Sequence, residues 1–262
     1  MSVSPQAYVH PSAKIGQGSQ IEPFAYLGAD VELGTDCWIA PHATLLPGAR
    51  IGNGCKIFPG AVIAAIPQDK KFAGEYSTAE LGDGTVVRES ATVNRGTKSR
   101  GITRVGQDCL IMAYSHVAHD CILGNHIIIG NASQVAGEVE IDDYANLSGG
   151  VLVHQFTRIG RHVMIQGGSK VNKDVPPFVM AGREPLAYMG LNVIGLRRHG
   201  FTQSQILILQ EAYRLLYREG LNFSQGIERI VSDLQLTAES QAVIDFVRGS
   251  SRGIIRGPKY ES

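Results

Sequence analysis

An aliphatic residue recurs every six positions along this chain. It stands at Val9, Ile15, Ile21, Leu27, Leu33, Ile39, Leu45, Ile51, Ile57 and Ile63, returns at Leu81, Val87 and Val93, and holds the same phase from Val105 to Val171. Four residues beyond each one the chain usually carries something small, as at Ala13, Ser19, Ala25, Cys37, Ala43 and Cys55. A helix repeats about every 3.6 residues and a half-buried strand every two, so a period of six fits neither as an isolated element. Short flat strands joined by corners do fit. Three hexads then make one triangular coil, and coils stack as a parallel β-helix in which each aliphatic lies over its equivalent 18 residues earlier. Burying one such side chain is worth about 1.5–3 kcal/mol, and a hexad that slipped by one residue would turn its aliphatic outward. The predicted fold class is therefore an all-β solenoid.

The 262 residues suffice for a substantial core. The 24 Lys+Arg balance 24 Asp+Glu, which gives no global electrostatic basis for binding nucleic acid or an anionic membrane. No stretch approaches the ~18 apolar residues of a membrane span. The amino terminus enters the repeat at once and lacks an apolar signal core, so the cytoplasm is the expected compartment. All four cysteines, Cys37, Cys55, Cys109 and Cys121, occupy the small inward slot of a hexad. They read as buried hydrophobes rather than as disulfides, metal ligands or nucleophiles.

Two polar, glycine-bearing interruptions, at about 64–80 and 95–104, read as loops thrown off the prism. Such loops in a solenoid gather on one working face, although a plain surface excursion is the alternative for the second. Beyond Val171, the prolines and glycines of KDVPPFVMAGREPLAYMG argue against a regular element. The period then becomes helical. Ile206, Leu209, Tyr213, Leu216 and Tyr217 mark a helix over 202–218, with Thr202 or Ser204 as N-cap and Gly220 as stop. Ser224 and Thr237 are the predicted caps of two further helices, the second ending before Gly249. The tail from Gly253 reads as frayed. The expected division is a β-helix domain over 1–190 and a helical domain over 191–262.

Coil arithmetic also locates the chemistry. His119, Gly137 and Gln155 are spaced by 18 and 18, which sets them in a vertical line on successive coils. An outward imidazole can take a proton from a hydroxyl held against it. A glycine one coil away offers a backbone N–H that a ligand can approach without meeting a Cβ. A base beside a backbone donor is the minimum for acyl transfer. The bland alternative is a surface histidine over a corner glycine. A zinc site built from His116, His119 and His154 is a further alternative, with an open position for hydrolytic chemistry.

Specific segments then point to a family. The hexads and helical tail, with PQDKKFAGE at 67–75, RESATVNRGT at 88–97, SHVAHDCILGN at 115–125, VHQF at 153–156, KDVPPF at 173–178 and GLNVIGLRRHGF at 190–201, closely resemble the UDP-N-acetylglucosamine O-acyltransferases that open lipid A synthesis in Gram-negative bacteria. The resemblance runs from about Pro5 to Arg256. It implies a left-handed coil, against the usual right-handed crossover, and a homotrimer with active sites between subunits. It implies transfer of a 3-hydroxyacyl chain from acyl carrier protein to the 3-hydroxyl of UDP-N-acetylglucosamine. No metal or dissociable cofactor is implied, since the phosphopantetheine arm belongs to the donor.

By the same resemblance His119 is the catalytic base and Gly137 the oxyanion donor. Asp120 orients the imidazole, although strand alternation would turn it away from His119. Asp69, Lys71, His116, His154 and Gln155 resemble residues that hold the sugar and its amide. Asn192 and Arg198 resemble contacts to the donor arm and the nucleotide phosphates, and a guanidinium fork suits phosphate. Gly167 and Gly168 lie near the end of the acyl groove, where the lack of a side chain favours a long chain. Two departures stand out. Glu138 replaces the histidine that commonly follows the oxyanion glycine; stacked one coil from Asp120, it is expected to raise a shared proton affinity or to draw in an Arg or Lys from a neighbouring subunit. Ile194 replaces an acidic residue of the nucleotide pocket. A related hexapeptide N-acyltransferase or acetyltransferase, and a non-catalytic scaffold, are the competing readings.

Overall fold

The fold is described by a computed structural model covering residues 2–217 and 220–257. The hexads form three parallel sheets in which every third strand is a neighbour. Among the described residues these sheets hold eleven, nine and eight strands. Register follows the repeat: Val117 lies on Val135, which lies on Val153 and then Val171. The aliphatic positions fill the prism and are almost all buried; only those of the first coils, such as Val9 and Ile15, which have a neighbour on one side alone, remain partly open. The four cysteines are buried free thiols, and burial pushes Cys109 up to about 11 and Cys121 up to about 12.

Corners turn through left-handed backbone. Asp108, Tyr114, Asp120, His126, Ala132, Glu138 and Tyr144 all have φ between 52° and 61°, one per hexad. Side chains at a corner therefore escape the alternation of a strand.

The two interruptions are narrower than the sequence suggests, because their ends join the ladder. Strands Val62–Ala65 and Thr78–Leu81 bracket the first, and Thr92–Asn94 and Ile102–Val105 the second. Ile63 pairs with Val93, and Val93 with Val117, so each loop is spliced into a coil without shifting the phase.

The three faces differ in their outward residues. On the third sheet these include Lys14, Glu32, Arg50, Glu80, Arg104, Glu140 and Arg158, paired along the stack by Lys14–Glu32 at 2.8 Å, Arg104–Glu80 at 3.2 Å and Arg158–Glu140 at 3.5 Å. Exposed pairs of this kind add little stability, but they mark a face made for water. The first sheet turns Trp38, Val86, Leu110, Ile128 and Met164 outward instead.

Past Val171 the sequence expectation fails. Val179–Gly182 and Ala187–Leu191 form an antiparallel pair that extends the first sheet. The prolines sit before these strands or in the turn between them, so none removes a ladder donor. A short helix α1, Val193–Arg198, also went unforeseen. Helix α2, Gln203–Leu216, is capped by Thr202 through a reciprocal box with Gln205, and its predicted end at Arg218 lies outside the described residues. Helix α3, Phe223–Asp233, is capped by Asn222 rather than Ser224, because Gln225 completes a box with Asn222. Helix α4, Ala238–Arg248, starts at Thr237 and ends at Gly249 as predicted. The tail is not frayed as far as Gly257: Ile254 and Ile255 are buried, and Ile254 bridges to Asp174. Residues 258–262 lie outside the described residues. No helix is long and apolar enough to cross a membrane among the described residues.

Candidate active site

His119 follows the strand His116–Val117 at the corner between the second and third sheets. It lines a cavity of about 610 Å³ with His116, Gly137, His154 and Gln155, within the usual range for a small-ligand site. The His119 side chain is 9% exposed. A methyl group built on Gly137 would meet its Cε1 and Nε2 at 2.6 Å, so the ring lies directly over the glycine, as the 18-residue spacing predicts. The Gly137 carbonyl accepts from the Phe156 N–H. No described group accepts from the Gly137 N–H.

Asp120 does not point away from His119. Its φ of 60° folds the side chain back, and Oδ2 lies 2.8 Å from His119 Nδ1. The strand rule fails because this is a corner. Asp120 is fully buried, and its remaining partners all come from the second loop and the strand after it. The Thr97 N–H and hydroxyl donate to the two carboxylate oxygens, the Arg100 N–H donates to Oδ1, and Asp120's own N–H donates to Thr103 Oγ1. Nothing in the sequence pattern singles out Thr97 or Thr103; both are small residues whose partner arrives from another coil.

His116 Nδ1 lies 2.7 Å from Thr92 Oγ1. Burial, reinforced by His119, holds its pKa below the ordinary imidazole value. His154 Nδ1 meets the Gln155 carbonyl at 3.0 Å. Among the described residues no group of three or more His, Cys, Asp or Glu is arranged to hold a metal ion.

Gln155 also lines an adjoining cavity of about 480 Å³ with Asp69, Lys71, Thr97, Glu138 and Phe156. This brings the first loop to the His119 corner. Asp69 Oδ1 accepts from the Lys71 N–H at 2.9 Å, which shapes the loop tip. Glu138 Oε2 accepts from the Ser99 hydroxyl of the same chain at 3.1 Å.

Two predicted groups lie elsewhere. Asn192, Ile194 and Arg198 line a separate cavity of about 600 Å³ on the outer face of the first sheet, with Tyr144 and His199. There Asn192 caps α1 through Gly195 and donates to the His162 carbonyl. Arg198 is exposed, and Ile194 is 67% exposed. Gly167 and Gly168 occupy the corner between the first and second sheets, stacked on Gly149 and Gly150. A Cβ on Gly168 would meet nothing within 4 Å.

Known proteins resemble this chain in sequence and in fold. The family described as UDP N-acetylglucosamine O-acyltransferase, domain 2, matches residues 174–255, and the bacterial hexapeptide transferase repeat matches 30–65 and 102–137. The chain is 42% identical to the acyl-[acyl-carrier-protein]–UDP-N-acetylglucosamine O-acyltransferase of Thiobacillus denitrificans, over 97% of this chain and 99% of the relative. It belongs to the UDP-N-acetylglucosamine O-acyltransferase family. The enzyme of the same name from a Sulfurihydrogenibium species is 49% identical over 97% and 94% of the two chains. The crystal structure of a UDP-N-acetylglucosamine acyltransferase from Bacteroides fragilis superposes with a TM-score of 0.96 at 51% identity, covering 97% of this chain and all of that one. The prism is thus the left-handed parallel β-helix of this family.

Proposed function

We propose that the protein transfers a 3-hydroxyacyl chain from acyl carrier protein to the 3-hydroxyl of UDP-N-acetylglucosamine, the first step of lipid A synthesis. One observation carries the mechanism: His119 is held through Nδ1 by a buried carboxylate and has its Nε2 edge over the backbone of Gly137. A buried Asp120 that receives donors on both oxygens is acceptor-only, which puts the imidazole proton on Nδ1 and the lone pair on Nε2. Nε2 removes the proton of the sugar 3-hydroxyl as its oxygen attacks the thioester carbonyl. The oxyanion that forms takes the Gly137 N–H. Collapse expels the phosphopantetheine thiolate, which recovers the proton from His119, and leaves an ester. The chain supplies no metal or cofactor of its own to this scheme.

His116 is kept neutral by burial and is suited to hydrogen bonding with the acceptor, alongside His154, Gln155, Asp69 and Lys71. The acyl chain would cross the second sheet past Leu152, which is 46% exposed, toward Gly167 and Gly168. Arg198 and Asn192 would serve the donor arm and phosphates only if another subunit brings its first-sheet face to this one. A homotrimer does that. Its support is the distribution of exposed large apolar side chains, which include Tyr8, Tyr26, Leu152, Met180 and Met189 on the first two sheets and none on a strand of the third among the described residues. Four buried thiols and a carrier-protein donor fit a reducing cytoplasm.

The test is product mass after incubation with a mixture of 3-hydroxyacyl carrier proteins, acetyl-CoA, and acceptors bearing 3-OH or 3-NH₂. An O-acyl sugar nucleotide from the carrier-protein donor is expected. Exclusive use of acetyl-CoA or of the amine would favour the related hexapeptide transferases.

A further inference from the structure

The loop 95–101 stands behind the His119–Asp120 pair, and the scheme above gives it no role. A buried carboxylate is tolerable only when its lone pairs are filled, and this loop fills them. Thr97 N–H and Arg100 N–H reach Oδ1 at 2.9 and 3.1 Å, and the Thr97 hydroxyl reaches Oδ2 at 2.7 Å, on the same oxygen that meets His119 at 2.8 Å. Thr97 Oγ1 itself accepts from the Ser99 N–H at 3.1 Å. The chain of bonds therefore has one direction: Ser99 N–H to Thr97 Oγ1, Thr97 O–H to Asp120 Oδ2, with His119 Nδ1–H donating to that oxygen from the other side.

We propose that Thr97 is a positioning residue, whose hydroxyl holds the Asp120 carboxylate in the one orientation that keeps His119 protonated on Nδ1 and free on Nε2. This rests on His119 being the base. Thr97 is 6% exposed, and the loop that carries it is pinned from outside. Glu75 of the first loop accepts from the Lys98 N–H at 2.9 Å, Ser99 donates to Glu138, and Arg100 pairs with Glu140 at 2.6 Å. Without the hydroxyl, Oδ2 has only the imidazole as partner. With that oxygen no longer fixed, the carboxylate can turn away from Nδ1–H, and the single ring proton is then free to sit on Nε2 instead, which is the wrong tautomer for a base.

The experiment compares wild type, Thr97→Val and Thr97→Ser in protein labelled with ¹⁵N-histidine, read together with steady-state kinetics. Wild-type His119 should show the Nδ1–H tautomer. Thr97→Val should show a mixture, with kcat lowered roughly 10- to 100-fold, the scale on which groups orienting a metal-bound imidazole act, and KM for the sugar nucleotide unchanged. Thr97→Ser should restore both readouts. If the valine disturbs the buried loop, Thr97→Ala removes the hydroxyl with less bulk. An unchanged tautomer in the hydroxyl-free variants overturns the proposal, whatever their kcat. His119→Ala separates the two levels: full activity in that variant would sink the base assignment, while the tautomer comparison would still decide whether Thr97 orients the ring.

Discussion

At the scale of the residue, the site depends on what Gly137 lacks. Its Cα lies under an imidazole that a single methyl group would strike at 2.6 Å, a separation that side chains do not adopt. Gly137→Ala should swing His119 off Asp120 and move the amide from the reacting carbonyl. Turnover should fall by about 10²–10³, the usual scale of a lost oxyanion donor, with the thermal unfolding midpoint little changed. A variant that keeps wild-type kcat would remove Gly137 from the mechanism. This pairing was legible in the sequence because both residues occupy the same point of successive coils and coil length is fixed by the aliphatic period. The partners of Asp120 were not legible. Thr97 reaches it from a spliced loop whose length breaks the arithmetic, and Asp120 itself sits in left-handed backbone that no alternation rule covers.

At the scale of the element, the corner between the third and first sheets carries a ladder of rings. His126 stacks on Tyr144 at 4.6 Å, Tyr144 on His162 at 4.8 Å, and Phe178 continues the column at 5.9 Å. His162 is 8% exposed, and its Nδ1 has no hydrogen-bond partner among the described residues. Burial, with His199 and Arg161 nearby, depresses its pKa to about 4 from the ordinary imidazole 6.5. Between those values the unfolded chain binds a proton that the folded chain refuses. This contribution to stability is complete above pH 6.5 and is lost as pH falls toward 4. His162→Phe fills the same stack with a ring that does not titrate. Its denaturant midpoint should therefore decline less than that of wild type across this window, and identical declines would show that His162 plays no part. The helical elements show how far local signals reach. Thr237 and Gly249 bound α4 as read, because both act within one turn. The cap of α3 was misplaced by two residues, because the choice between Asn222 and Ser224 depends on which of them Gln225 answers. The strands 179–182 and 187–191 were hidden because sheet extension, rather than their own composition, makes them strands.

At the scale of the whole molecule, three faces of one prism have three characters. The charged ladder from Lys14 to Arg158 identifies the third sheet as the solvent face, while Trp38, Leu110 and Ile128 give the first sheet an outward surface suited to burial. That contrast was present in the sequence, one position before each aliphatic and read on every third hexad. It leaves the cavity holding Arg198 and the one holding His119 on different sheets of a single chain, so in the homotrimer proposed above their residues would meet across an interface. Sedimentation should give a particle of three chains. Leu110→Glu, on the first sheet and lining neither cavity, should dissociate it and abolish turnover, and an active monomer would contradict the shared-site account.

The central claim is that the imidazole at 119 removes the proton from the sugar hydroxyl while the acyl group is bound at Gly137. The most direct measurement is the rate of ester formation from 3-hydroxyacyl carrier protein and UDP-N-acetylglucosamine by wild type and His119→Ala, each shown to hold the same assembly. The variant should be slower by roughly 10²–10⁴, the range of general-base contributions. Equal rates in the two proteins would contradict the account.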